Sequence, residues 1–246
     1  MPRFFIRQNQ IEESNGVKTV NITGDDAHHI SRALRMAAGE TVEVCDMQKN
    51  LYLCELNGFF EGRVTARVVS EGKADTEPPY NLRLYQALAK GDKMETIIQK
   101  SIECGACEIV PFSSERCVVK LDKKDEGKKI DRWQKIAESA AKQSGRGIVP
   151  TVKAVLSFKE LLSSIDGTVL FCYEGEDTVS IKDALKKTKI QGDVSVIIGS
   201  EGGFSQKEAE QLKEAGAVSV SLGKRILRCE TAPTFALACI AYELEL

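Results

Sequence analysis

Two short stretches near the end of the chain collect the residue types that could do chemistry. Gly199-Ser200-Glu201-Gly202-Gly203-Phe204 sets one carboxylate among three glycines. Leu222-Gly223-Lys224-Arg225-Ile226-Leu227-Arg228-Cys229-Glu230 mixes apolar, basic and acidic side chains without a break. Gly202 and Gly203 carry no Cβ and tolerate positive φ, so a ligand can approach the backbone closely. The second stretch can face an organic ring and an anion at once.

The elements that must position these stretches are readable on either side. Val194, Val196, Ile197 and Ile198 are a β-branched run of the kind buried in a parallel sheet, and Gly199 stops it. Ser205 followed by Glu208 makes a capping box, so a helix starts directly after the glycines. Val218 to Gly223 is the next strand. Strand, glycine loop, helix, strand and second loop bring both loops to one edge of a sheet, where open α/β folds bind their ligands.

The rest of the chain sets the frame. At 246 residues and 42% apolar composition it can bury one large or two modest cores. A formal net charge of −2 means that any nucleic-acid contact must come from a local basic face. Charge interrupts Met1 to Arg7 too early for a signal region, and no stretch reaches the length of a membrane span. Eight cysteines, among them Cys45, Cys54, Cys172 and Cys239 inside apolar runs, read as reduced core residues of a cytoplasmic protein.

Short strand candidates at Phe4 to Arg7, Thr19 to Ile22, Thr41 to Cys45, Leu51 to Leu56 and Gly62 to Val69 make residues 1–72 a small β-barrel domain. One helix interrupts them, capped by Asp25 or Asp26, with Ala27, Ile30 and Leu34 on its inner face. Residues 73–81, with Pro78 and Pro79 among charges, have a linker composition. Residues 82–246 alternate strands and helices and form an α/β domain with a mostly parallel sheet. Its last helix, capped by Thr231 and opened by Pro233, holds no charge from Phe235 to Ala241 and needs cover from a core or from a partner subunit.

Three further motifs weigh against chemistry of their own. His28-His29 point apart on a helix and have no ligand cluster at metal spacing, so no metal is expected. Cys104-Gly105-Ala106-Cys107 lacks a second pair and sits where a helix gives way to a buried strand, which suits two small core residues. From Arg116 to Arg146 there are ten Lys or Arg against five Asp or Glu. That excess reads as a solvated face, with phosphate contact suggested only by Gln143-Ser144-Gly145-Arg146-Gly147. There is no P-loop and no GxGxxG.

At Ile198 to Ser205 and Leu222 to Ala232 the sequence closely resembles the RsmE family, bacterial enzymes that methylate N3 of a uridine in 16S ribosomal RNA. The likeness runs through the whole chain, including Pro2-Arg3-Phe4-Phe5, His29 with Leu34-Arg35, Lys93-Met94-Glu95, Ser114-Glu115-Arg116, Arg132-Trp133 and Ala140 to Arg146. The chain departs from the family pattern at Cys104, Ser200, Cys229 and Pro233 without losing a functional group.

What the resemblance implies is a PUA-like RNA-binding barrel followed by a SPOUT-type domain whose C-terminal chain forms a trefoil knot and which works as a homodimer. It implies S-adenosyl-L-methionine held by Gly199, Glu201, Gly202, Gly203, Leu222, Gly223, Arg225, Ile226 and Leu227. RNA of the small ribosomal subunit would meet Arg3, Arg7, His29, Arg32, Arg35, Arg116 and Arg146. Methylating an imide nitrogen needs a cation near the uracil oxygens, for which Arg228 is the candidate, and a proton acceptor, for which Glu201 or Glu230 is. Glu201 could equally serve as a loop carboxylate that accepts backbone N–H bonds. The competing readings are a non-catalytic RNA-binding or ribosome-associated protein and a SPOUT methyltransferase acting on another nucleotide.

Overall fold

The computed structural model describes residues 1–173, 179–187 and 192–246. The chain divides into two compact units, Met1–Glu77 with Ala141–Val149, and Pro78–Ala140 with Pro150–Leu246. The second domain expected at 82–246 is therefore interrupted, since residues 141–149 belong to the first unit.

In the first unit the strands β1 (Arg3–Phe5), β2 (Ile11–Ser14) and β3 (Val17–Thr23) precede a short helix, α1 (Gly24–His28), and β4 (Thr41–Cys45), β5 (Asn50–Phe60) and β6 (Arg63–Lys73) follow it. They form one barrel-like six-stranded sheet in the order β1-β4-β5-β6-β3-β2, parallel only between β1 and β4. Alternation decides which side chains go inside: Val20 and Ile22, Val42 and Val44, Tyr52, Cys54 and Leu56, and Val64 and Ala66 all enter one core with Phe4 and Ile30. Each fully buried Val, Ile, Leu or Phe contributes about 1.5–3 kcal/mol. Register shifts between Leu53 and Cys54 and between Leu56 and Gly58 bend the long β5–β6 pair. At Gly58 a Cβ would lie 2.4 Å from the Thr65 hydroxyl and 2.8 Å from the Phe60 ring, so a side chain there would have to push both aside.

The helix after β3 differs from expectation. It begins at Gly24 behind Thr23, and from His29 to Ala33 it widens into a π turn, with Leu34 N–H bonded to His29 O at 2.9 Å and Met36 N–H to Ile30 O at 3.1 Å. A π turn carries one residue more than an α turn and shifts every later side chain around the axis. Leu34 is therefore 42% exposed, and Met36 packs against the core in its place.

Two arginines expected to meet RNA are instead interior groups of this unit. Arg3 donates from Nε and Nη2 to Glu43 at 2.9 and 2.7 Å, and from Nη1 to the Gly145 carbonyl. Arg146 is 2% exposed and forks onto Glu77 through Nε at 2.9 Å and Nη2 at 2.7 Å, while Gly147 N–H adds a third bond to that carboxylate. Burial alone would raise the Glu77 pKa, but Arg146 and the Gly147 amide outweigh it and hold the carboxyl below its ordinary value. A guanidinium used up in this way leaves no fork for a phosphate. The same contacts correct the linker reading of 73–81, because Lys73 ends β6 and Glu77 is an interior ion-pair partner.

The second unit runs β7 (Asn81–Ala87), α2 (Lys93–Glu103), β8 (Glu108–Ser113), α3 (Lys123–Gln143), β9 (Thr151–Val152), β10 (Leu156–Ser157), α4 (Phe158–Ser164), β11 (Thr168–Cys172), α5 (Ile181–Lys187), β12 (Asp193–Ile198), α6 (Gln206–Glu214), β13 (Val218–Val220) and α7 (Thr231–Glu245). The last residues of α3 fall in the first unit. The strand order is β10-β8-β7-β12-β11-β13 with β9 also on β8, and every pairing among the described residues is parallel. Both faces are covered, which is why β12 reads as a continuous apolar run: Val194, Val196, Ile197 and Ile198 are all buried. Helix α2 buries Met94, Ile97, Ile98, Ser101 and Ile102, the face its spacing specifies. Helix α7 packs on β12 and against α2 and α5.

From β7 the chain first builds β8 on one side and later returns to place β12 on the other. That reversal leaves the carboxyl ends of β7, β12, β11 and β13 side by side, the place where a ligand crevice opens. At the amino edge Arg83 bonds Glu108 at 2.8 Å and Asp166 at 2.7 Å, Lys153 also reaches Glu108 at 3.0 Å, and Asn81 donates to Asp193 at 2.7 Å.

Candidate active site

A cavity of about 430 Å³ lies at that carboxyl edge. Gly199, Glu201, Gly203, Leu222, Gly223, Arg225, Ile226 and Leu227 line it, as do Arg228 and Lys224. The loop after β12 is tight: Gly203 N–H bonds Ser200 O at 2.9 Å, and Gly203 stands at φ +63°. A Cβ on Gly199 would come within 3.2 Å of the Gly203 backbone. Phe204 then drives into the core, stacked on Phe112 at 6.4 Å and edge-on to Phe171 at 6.1 Å, which anchors the far end of the loop. The Ser205–Glu208 capping box starts α6 as expected. The second loop turns at Gly223, whose φ of +104° favours glycine.

Gly202 does not itself line the cavity. It lies under Arg116, and a Cβ there would sit 2.9 Å from Arg116 Cβ and 3.0 Å from its carbonyl oxygen. Arg116 Nη1 donates to Gly202 O at 3.2 Å and Ser200 Oγ to Arg116 O at 3.2 Å. The missing side chain thus makes room for the segment after β8. Glu115 fastens the same segment, accepting from Ser205 Oγ at 2.8 Å while its N–H donates to buried Glu208 at 2.8 Å.

Glu201 has the contacts of a loop anchor. Its Oε1 accepts from the Lys90 N–H at 3.0 Å and from Lys93 Nζ at 2.9 Å. Burial would raise its pKa, but Lys93 and the backbone amides prevail and hold it low. Glu230 is held low in the same sense: burial opposes ionisation, and its own amide, the Cys229 thiol and Lys93 overcome it. Lys93 Nζ is 3.6 Å from Glu230 Oε2 and 3.9 Å from Cys229 Sγ. Burial and the Glu230 bond push the Cys229 thiol up to about 12, so it stays neutral. The expected cap of α7 is shifted by one residue: Glu230 is the N-cap, and Thr231 and Ala232 donate backbone N–H bonds to Arg228 O, each at 2.9 Å.

Arg228, Arg225 and Lys224 are exposed and form no ion pair among the described residues. Ile226 stands 83% exposed between them, an apolar side chain turned away from the core. In the first unit Arg7, His29, Arg32 and Arg35 are exposed and likewise unpaired among the described residues, with Arg35 in the left-handed region at φ +53°. No group of three or more His, Cys, Asp or Glu that could hold a metal occurs among the described residues, and no described helix is long and apolar enough to cross a membrane.

Lys93, Cys172 and Tyr173 also line the cavity and were not singled out as site residues from the sequence. Their local signals are that Cys172 ends and Tyr173 follows a buried strand and that Lys93 opens a helix. Knowing that β7 and β11 flank β12 turns those signals into a placement.

A family model described as an RNA methyltransferase domain matches residues 76–241, and one described as an RNA methyltransferase PUA domain matches residues 22–69. A ribosomal RNA small subunit methyltransferase E of Bacillus subtilis (strain 168) is 39% identical over 254 aligned residues, covering 100% of this chain and 98% of its own. One from Synechocystis sp. (strain ATCC 27184 / PCC 6803 / Kazusa) is 33% identical, covering 99% of this chain and 78% of its own. The crystal structure of a ribosomal RNA small subunit methyltransferase E from Neisseria gonorrhoeae bound to S-adenosyl methionine matches with a TM-score of 0.87 at 32% identity, over 99% of this chain and 98% of that one.

Proposed function

The chain belongs to the family of ribosomal RNA small subunit methyltransferases E, and from that premise we propose that it moves a methyl group from S-adenosyl-L-methionine to N3 of a uridine in 16S ribosomal RNA. The observation that carries this reading is the crevice itself, where tight glycine turns and apolar side chains meet free guanidinium groups at its mouth. The residues present fit the cofactor. Ile198, Val220, Leu222 and Leu227 offer apolar cover to an adenine ring, and no atom lies within 4 Å of where a Cβ of Gly223 would stand. A binding module without catalysis would have no need of this crevice.

When bound, S-adenosyl-L-methionine supplies a methyl group on a cationic sulfur. The chain's own task is to hold a weakly nucleophilic imide in line with it, and positioning of that kind lowers a barrier by roughly 7–11 kcal/mol at best. Arg228 holds the uracil oxygens and stabilises the charge that appears as the N3 proton leaves, a contribution on the order of 3 kcal/mol. Glu201 is already bonded to Lys90 and Lys93 at 3.0 and 2.9 Å, whereas the contacts of Glu230 to the Cys229 thiol and to Lys93 are longer, at 3.3 and 3.6 Å. Glu230 is therefore the better-placed proton acceptor. Because its carboxyl is held low it is a weak base, and the burden falls on Arg228.

RNA would be held by the exposed Arg7, His29, Arg32 and Arg35, with affinity that falls steeply as salt rises. The exposed apolar side of α7, with Ala238 and with Tyr242 at 71% exposure, is what a second protomer would cover. The reading also carries the C-terminal knot and a cytoplasmic place of action beside the ribosome. Mass spectrometry of 16S ribosomal RNA nucleosides tests it: 3-methyluridine is expected to vanish when the gene is deleted and to return on complementation. An unchanged 3-methyluridine level would overturn the assignment, and a new loss at another nucleotide would redirect it.

A further inference from the structure

Lys93 stands where a lysine is locally unfavourable. It is the first residue of α2, at the end of a helix whose dipole repels cations, and the N-cap Asp92 gives no side-chain cap. Its ammonium instead meets two carboxylates from different segments, Glu201 of the loop after β12 at 2.9 Å and Glu230 at the start of α7 at 3.6 Å. The backbone N–H of Lys90, in the same β7–α2 connection, takes Glu201 as well. Three segments that end at one sheet edge thus meet at one cation.

We infer that Lys93 is a positioning residue that clamps the two glycine-bearing loops of the crevice to each other and thereby fixes Arg228. Arg228 O accepts the first two amides of α7, so Arg228 and Glu230 belong to one rigid turn. Whatever moves Glu230 moves the guanidinium two residues before it. Without the cation, Glu201 and Glu230 would face each other across the crevice and the turn would swing away from the loop after β12. The ionisable groups that face the ammonium are Glu201, Glu230 and Cys229. Cys229 stays neutral, and Glu95 on the same helix is turned to Arg132 at 2.6 Å. The charge balance at the clamp is therefore one cation against two carboxylates.

The test uses the full chain and three variants: Lys93→Met, Lys93→Arg, and Lys93→Met combined with Glu230→Gln. Melting temperature is followed against pH, binding of S-adenosylhomocysteine is measured by calorimetry, and kcat is measured on RNA. Lys93→Met is expected to lower the melting temperature by a few degrees at neutral pH, with the loss shrinking on acidification as one carboxylate takes a proton. Lys93→Arg and the double variant are expected to regain most of it. The kcat of Lys93→Met should fall on the order of a hundredfold, the cost of misplacing a catalytic group by about 1 Å, and Lys93→Arg should rescue it in part. A loss of stability that is the same at every pH, or a double variant no more stable than Lys93→Met, would overturn the clamp. So would wild-type turnover in Lys93→Met. Only the kcat arm rests on the methyltransferase reading: an inactive wild-type chain would count against that reading, while the pH-dependent melting would still decide the clamp.

Discussion

At the amino edge of the parallel sheet Arg83 is shared among Glu108, Asp166 and Asp193, at 2.8, 2.7 and 3.9 Å. At the carboxyl edge of the same sheet Lys224, Arg225 and Arg228 end in solvent with no ion-pair partner among the described residues. Both edges collect charge from the ends of strands, yet the first is closed and the second is open. The amino edge has its cations neutralised by carboxylates from neighbouring strands, which fastens the sheet and leaves nothing to offer a ligand. At the carboxyl edge one lysine is spent on two carboxylates and the arginines are held in reserve. Pairing, more than charge itself, separates the scaffold from the site.

The strongest way to break this contrast is to move the open edge's backbone. Gly202→Val would drive a side chain into Arg116 and displace the loop after β12, so calorimetry should show cofactor affinity reduced by more than about a hundredfold while circular dichroism keeps the folded signal. Wild-type affinity would mean that the loop is not part of the cofactor site. Next in size, Arg228→Ala should lower kcat by about a hundredfold, near 3 kcal/mol, with cofactor affinity almost unchanged. If affinity and melting temperature fall together with kcat, Arg228 belongs with the scaffold after all.

The closed edge should answer differently. Arg83→Met removes the cation shared by three carboxylates, of which Glu108 keeps Lys153, so stability should drop by about 1–3 kcal/mol while kcat and cofactor affinity stay near wild type. A drop in kcat at equal folding would erase the distinction between the edges. The smallest expected effect is that of pH on the open edge. Glu201 and Glu230 have lowered pKa values, so their contribution is complete above the ordinary carboxylate range and is lost as pH falls through the lowered values. Lys93 has a raised pKa, so its share is complete below the ordinary lysine value and is lost as pH rises through the raised one. Cofactor affinity should therefore be flat from about pH 6 to about pH 9, and a titration step inside that window would show that another group controls the crevice.

The crevice was legible because its signals are local. The β-branched run ending at Gly199, the Ser205–Glu208 box and the unbroken mixture from Leu222 to Glu230 each occupy a few consecutive residues. What stayed hidden depends on partners far along the chain. Arg146 sits in a glycine-flanked stretch that looks exposed, and only Glu77, 69 residues earlier, turns it into an interior fork. Lys93 joins the site because β7 lies beside β12, an adjacency set by strand order and not by any spacing in the sequence. Gly202 carries the right residue type in the right motif, and what no local pattern shows is the close approach of Arg116 that it also permits. The strand Ile11–Ser14 was missed because it is an edge strand with three exposed polar residues and no alternation to betray it.

The π turn from His29 to Ala33 marks where the gene could lose or gain a codon at little structural cost. One residue fewer there would close the turn to an ordinary α repeat and leave Met36 on the core and Leu34 outside, because the extra residue is absorbed within the turn itself. The same deletion would take one side chain out of the exposed run Ser31-Arg32-Ala33, so the outward-facing surface would be redrawn there while the interior survived. A length change of a single residue in this helix is thus a natural route by which the first unit could alter the surface it presents to RNA without refolding.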